Sequence, residues 1–254
     1  MKKIAFLGSK GIGFSSLKFL LDHTSMLDIE IVAVFSNDRK ISKTDPSIMD
    51  LAKSHSIPVF QDIDKIIELP SFELLISVQY HEILHQKHID CAQELAINLH
   101  MAPLPEYRGC NQFSFAIIEG AEEFGTTLHV MEAGIDSGDI LFERRFPILD
   151  TESVQTLHQK TTMESIQLFE DSIAKIIQGN YQRQPQSKYK GIRASGFHLR
   201  NEMDSIKQID STWPEEKIDR YIRATYFPPF APPFTVIKGQ KFDLSPNWRN
   251  EIPR

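Results

Sequence analysis

The sequence predicts a doubly wound α/β fold with a mostly parallel sheet and a small helix-plus-hairpin subdomain at its C-terminal end. Three observations carry this. The chain opens on a strand, a glycine turn and a helix. Apolar runs of strand length then alternate with helical patterns, which calls for parallel strands joined by crossovers. Polar side chains collect where those runs end, and that edge is where ligands bind in open α/β sheets.

Lys3 to Leu7 is the first buried strand, followed by Gly8-Ser9-Lys10-Gly11-Ile12-Gly13 and a helical pattern from Phe14 to Leu21. Ile29 to Phe35 is rich in β-branched residues and reads as the next strand. Ser36 to Pro46 is a polar loop at the carboxyl edge, Ser47 to Ser54 a short helix, Pro58 to Phe60 a brief strand, and Asp62 to Glu68 a helix. Leu74 to Ser77 is a core strand that empties into Val78-Gln79-Tyr80-His81-Glu82-Ile83-Leu84. Leu95-Ala96-Ile97 is a short apolar run ending in Asn98 and His100, with Pro103 and Pro105 forcing a loop and a helix after it. Thr126 to Met131 and Leu141 to Pro147 are further strands, separated by the glycine-bracketed loop Gly134-Ile135-Asp136-Ser137-Gly138. Thr151 or Ser153 caps a long amphipathic helix that ends near Gln178, before Gly179-Asn180.

The polar stretch Gln182 to Ser187 divides a main domain, residues 1–186, from a smaller one, residues 187–254. In the tail, Trp213-Pro214-Glu215-Glu216 starts a helix that continues through Ala224. Thr225 to Phe234 is a proline-aromatic run that cannot be helical. Its rings either pack the tail onto the main domain, the better reading for most of them, or form a flat wall for a base or a second subunit. Val236 to Phe242 reads as a hairpin turning at Lys238-Gly239.

Composition narrows the function. The 254 residues are 41% apolar without an uninterrupted span of membrane length, and the formal charge of −6 is a poor match to nucleic acid. The apolar run from Ile4 to Leu7 is too short for a signal peptide. Cys91 and Cys110 make neither a disulfide framework nor a zinc site, so a reduced, cytoplasmic protein is expected. The first glycines do not follow the G-x-G-x-x-G order and Glu30 comes too early in its strand, which speaks against a nicotinamide cofactor. With no H-x-x-x-H or C-x-x-C, no metal is expected either.

Residues two apart in a strand point to the same side, so Asn98 and His100 face one space. Taken singly, His100 reads as a packed histidine and Asp136 as a turn aspartate. The combination says more. Asn98-Leu99-His100, then Leu104-Pro105-x-Tyr107-Arg108-Gly109, then Gly134-Ile135-Asp136-Ser137-Gly138-Asp139-Ile140-Leu141 follow in order, with Asp136 standing 36 residues after His100. This resembles the 10-formyltetrahydrofolate-dependent formyltransferases, most clearly from residue 74 to 145. The resemblance implies a Rossmann-type formyltransferase domain with Asn98, His100 and Asp136 as its catalytic residues. An amide donor suits the oxyanion of acyl transfer, an imidazole can share that task or carry a proton, and a carboxylate can hold the imidazole charged. It also implies a folate held largely by backbone groups of Val78, Gln79, Tyr80, Ile83, Leu84, Gly134 and Ile135, with Tyr80, Ile83 and Leu84 offering apolar walls.

The acceptor is inferred from what surrounds that core. Ile222 to Phe242 is similar to the end of the sugar-nucleotide formyltransferases, and Gln112 stands where the commoner R-G-x-x-P pattern has proline. The expectation is formyl transfer to the amine of a nucleotide-linked deoxyamino sugar for surface polysaccharide, with Arg108, Asn111, Arg223 and Tyr226 near that substrate. A methionyl-tRNA formyltransferase is the alternative, and a non-catalytic nucleotide-binding module the reading from another class. Phe227, Phe230 and Phe234 would be an unusual exposed patch on a monomer, and the resemblance points to a homodimer formed through this region.

Overall fold

The computed structural model describes residues 1–38 and 46–252; residues 39–45, the middle of the loop expected from Ser36 to Pro46, lie outside that set. Strand β1 (Lys2–Gly8) leads into α1 (Lys10–Asp22), and a short α2 (Thr24–Leu27) turns the chain into β2 (Ile29–Phe35). Helix α3 (Ile48–Ser54), with the Ser47 hydroxyl accepting from the Asp50 N–H, and β3 (Val59–Phe60) follow. Next come β4 (Phe72–Val78), α4 (Gln86–Ile89), β5 (Ala92–His100), β6 (Arg108–Gly109), α5 (Gln112–Glu119), β7 (Glu123–Val130), β8 (Ile140–Pro147) and α6 (Val154–Ile177). The C-terminal part holds β9 (Phe197–His198), α7 (Glu202–Ile206), α8 (Glu215–Thr225), β10 (Phe234–Ile237) and β11 (Gln240–Asp243).

The main sheet has the order β3-β2-β1-β4-β5-β7-β8. From β3 to β5 all neighbours are parallel, while β5–β7 and β7–β8 are antiparallel. The chain winds outward from β1 through β2 to β3, then restarts at β4 on the other side of β1. The loops after β1 and β4 therefore flank the point where strand order reverses, which opens a crevice at the carboxyl edge.

Alternation along each strand explains the two layers. Ile4 and Phe6 face one apolar cluster with Ile76, Ile97, Leu17 and Phe169, whereas Ala5 and Leu7 face another with Leu75, Phe35 and Ile66. Phe6, Leu7, Leu75 and Phe169 are fully buried, and each such side chain contributes roughly 1.5–3 kcal/mol.

Two local expectations shift. Helix α1 begins at Lys10 rather than Phe14, so Gly11 and Gly13 lie inside it. A Cβ on Gly13 would stand 3.3 Å from the Val78 carbonyl oxygen, so the bare backbone lets the helix lie against β4. Ile63–Glu68 is a 3-10 turn rather than an α-helix, capped by Asp62 and stopped where Leu69 turns extended ahead of Pro70.

The C-terminal part has its own cluster of Ile209, Ile218, Ile222, Leu244 and Trp248. Its hairpin turns at Lys238-Gly239 with φ of 50° and 80°, as a two-residue turn of this hand needs. It is also tied to the main domain, because β9 pairs with β6. Most of the aromatic run packs: Phe227 lies against His158 and belongs to a main-domain cluster, while Phe230 is 54% exposed.

Candidate active site

Strand β5 brings Asn98 and His100 to the carboxyl edge, and the loop between β7 and β8 brings Asp136 over them. One Asp136 oxygen lies 3.6 Å from Nδ1 of His100 and the other 3.6 Å from Nε2 of His129. The Gly109 N–H donates to the same carboxylate at 2.9 Å. Nε2 of His100 donates to the Tyr107 carbonyl at 2.7 Å, so Nδ1 faces the carboxylate, and a proton there turns the contact into an ion pair. His129 donates from Nδ1 to the Val130 carbonyl at 2.8 Å. That leaves Nε2 as the acceptor for the Asn98 amide, 3.2 Å away. One Asn98 N–H is thereby aimed, and the other remains for a ligand.

Asp136 is held in place from several sides. It sits at φ 50°, and the Gln186 amide donates to its carbonyl at 2.7 Å and to that of Gly138 at 2.9 Å. A Cβ on Gly138 would approach the Val130 carbonyl oxygen to 2.0 Å, so only glycine lets the loop fold back here. Burial alone would raise the Asp136 carboxyl. The facing rings of His100 and His129 and the Gly109 N–H outweigh it and hold the group well below the usual carboxylate range.

Two cavities meet at these residues. The smaller, about 170 Å³, is lined by Ser77, Ile83, Leu84, His129, Met131 and the Glu132–Ile135 loop. The larger, about 660 Å³, is lined by Lys10, Gln79, His81, His100, the Gly109–Ser114 segment, His158, Arg200, Met203, Lys207, Phe227 and Phe230. Tyr80, Asn98 and Asp136 line both. A group passed from one cavity to the other must cross Asn98 and Asp136. The Tyr80 side chain lines both cavities, and its hydroxyl is buried without a hydrogen-bond partner among the described residues. Among the described residues, no group of three or more His, Cys, Asp or Glu could hold a metal ion.

The sequence profile described as formyl transferase matches residues 2–173, more than half of the chain. The chain belongs to the formyl transferase family. A methionyl-tRNA formyltransferase of Geobacillus sp. (strain WCH70) is 28% identical over all of this chain and 79% of its own length. A GDP-perosamine N-formyltransferase of Brucella melitensis is 30% identical over 67% of this chain and 63% of its own length. Among solved structures, the N-formyltransferase of Helicobacter canadensis, in complex with folinic acid and dTDP-3-aminofucose, superposes with a TM-score of 0.77 at 24% identity. It covers 95% of this chain and 86% of that one. A sugar N-formyltransferase from Shewanella superposes with a TM-score of 0.77 at 18% identity, over 96% of this chain and 97% of that one. At such identities the likeness is one of fold.

In this formyl transferase the residues expected from sequence are distributed unevenly. Asn98, His100 and Asp136 come together. Tyr80, Ile83, Leu84, Gly134 and Ile135 line the smaller cavity, whereas Gln79 lines the larger one and the Val78 carbonyl accepts from the Ser9 N–H. Of the four expected acceptor contacts, Asn111 lines the larger cavity. The other three are absent from that lining. Arg108 donates to Gly196 and Ser195, Arg223 donates to the Glu152 carbonyl at 2.7 Å, and Tyr226 packs in the C-terminal cluster. For Arg223 the reason is helical geometry, since the end of α8 presents Ala224 and Thr225 to the cavity instead.

Sequence reasoning passed over His129, Lys10, His158, Arg200 and Lys207. His129 carried a usable signal, a polar residue inside an apolar strand. Arg200 and Lys207 carried none, because the fold of the tail alone brings them over the crevice.

Proposed function

We propose that this enzyme transfers a formyl group from 10-formyltetrahydrofolate to the amine of a nucleotide-linked deoxyamino sugar. The observation that carries this reading is the pair of cavities meeting at Asn98 and Asp136. The smaller has the apolar walls and loop backbone that a flat pterin needs, from Tyr80, Ile83, Leu84 and the Gly134–Ile135 turn. The larger has three cationic side chains, Lys10, Arg200 and Lys207, suited to a diphosphate, and the rings of Phe227 and Phe230, suited to a base. The folate would supply the activated formyl carbon. Asn98 would donate to the developing oxyanion, and His100, braced by Asp136, would share that charge or take the proton the amine loses. The bond from the formyl carbon to N10 would break, and the released tetrahydrofolate nitrogen would take up a proton.

The relatives named for sugar nucleotides support this reading. The methionyl-tRNA relatives align along the whole chain and favour a second one, an aminoacyl-tRNA acceptor. The net charge of −6 weighs against so large a polyanion. In the favoured reading the enzyme works in the cytoplasm on a precursor of surface polysaccharide, as a homodimer with the tail at its interface. The deciding assay offers 10-formyltetrahydrofolate with dTDP-, UDP- and GDP-linked amino sugars, and with methionyl-tRNA in parallel. Formylation of a sugar nucleotide is expected; turnover on methionyl-tRNA alone would reject the sugar assignment. Light scattering on the full chain and on one ending near Gln186 tests the dimer, expected to be lost on truncation.

A further inference from the structure

We propose that His158 is a specificity-determining residue, whose imidazole hydrogen-bonds a hydroxyl of the acceptor's sugar. This rests on the sugar-nucleotide reading above and names the group that reads the sugar. His158 lies one helical turn after Val154 on α6, and both side chains line the larger cavity. Its ring is packed against Phe113, at 5.3 Å between centroids, and against Phe227, at 5.5 Å. Those contacts hold the ring in one orientation. Neither ring nitrogen has a hydrogen-bond partner among the described residues. With no such partner, the two ring nitrogens are left for whatever occupies the cavity that the ring lines.

Burial, with the neighbouring charge of Lys10, pushes the imidazole down to about 4, so it carries one N–H and one lone pair at neutral pH. Such a group matches an alcohol, which is both donor and acceptor, better than a phosphate. The phosphates are left to Lys10, Arg200 and Lys207. The same cavity is lined by Asn98 and His100, so an acceptor whose amine reaches Asn98 shares its space with the imidazole.

The test is steady-state kinetics of the full-length enzyme on its best sugar nucleotide, with two variants. His158→Phe keeps a flat ring between Phe113 and Phe227 but has no polar atom. His158→Gln keeps a donor and an acceptor. One lost hydrogen bond should raise the acceptor KM of His158→Phe roughly tenfold, with kcat and the folate KM nearly unchanged. His158→Gln should recover part of the loss. Calorimetric titration with the free nucleoside diphosphate should give wild-type affinity for both, because the sugar is missing from that probe. An unchanged acceptor KM in His158→Phe overturns the assignment, as does a parallel loss of nucleoside diphosphate affinity. If His158→Phe does not fold, a wild-type acceptor KM for His158→Gln on two sugars differing at one hydroxyl, with unchanged preference between them, overturns it equally. A wild-type enzyme that formylates no sugar nucleotide defeats the underlying reading instead, and so separates the two failures.

Discussion

His129 and Asn98 are register partners across β5 and β7, and Nε2 of His129 also accepts from the Asn98 side-chain amide at 3.2 Å. The Val130 carbonyl fixes which nitrogen of that ring carries the proton. His129 thereby fixes the direction of one Asn98 amide N–H. His129→Leu should lower kcat by roughly 10–100-fold, part of what a lost oxyanion donor costs, with the acceptor KM nearly unchanged. His129→Gln, which retains an acceptor, should lose less. Equal kcat values for both variants and wild type would show that Asn98 needs no such guide.

Removing the site's own groups should cost more. Asn98→Ala and His100→Ala should each lower turnover by about 10²–10³-fold while folate binding persists. Near-normal formylation by both variants would sink the assignment. Stopped assays combined with fluorescence titration of the folate separate the two quantities.

Asp136 adds a pH dependence whose sign follows from its depressed pKa. A carboxyl lowered in the folded state stabilises it above the unfolded value, about 3.9, and that contribution is lost as pH falls through the folded value. Asp136→Asn should be less stable than wild type at pH 7, and the gap should narrow below about pH 4. The variant also lacks the anion facing both imidazoles, so its pH–rate profile should differ from that of the wild type. Urea unfolding across pH and a pH–rate profile check these outcomes. An unchanged profile with full activity would leave Asp136 a loop-forming residue only.

Gly109 joins the site to the tail. It has φ +85°, donates to Asp136, and a Cβ there would lie 2.4 Å from the His198 carbonyl oxygen. Gly109→Ala combines backbone strain with a clash against β9 and should destabilise by about 1–3 kcal/mol. Turnover should fall as well, since the donor to Asp136 must shift. Unfolding midpoints and kcat measured together would detect both.

His158 supplies a second pH signal of different origin. Its folded value, about 4, lies below the ordinary histidine value of about 6.5. The unfolded chain then binds more protons between those values, so stability is full above the upper one and declines as pH falls toward the lower. The decline should amount to no more than about 2–3 kcal/mol, and His158→Gln should flatten it. Identical pH–stability curves for the two proteins would show that the ring is not desolvated.

The sequence by itself determined whatever depends on short-range rules. Apolar runs marked the strands, Thr151 or Ser153 marked the start of α6, and Lys238-Gly239 marked the hairpin turn, because each is a preference of a few neighbouring residues. The order and spacing of the Asn98, His100 and Asp136 motifs also marked the family. Tertiary structure alone decided which groups surround that trio. The pairing of β6 with β9 brings together residues nearly ninety positions apart, and the path of the tail carries Arg200 and Lys207 over the crevice while turning Arg223 toward Glu152. Such contacts arise from burying apolar faces and pairing backbone groups across long loops. No local pattern encodes them, so Asn98, His100 and Asp136 were legible in the chain as a group and the lining of the larger cavity was not.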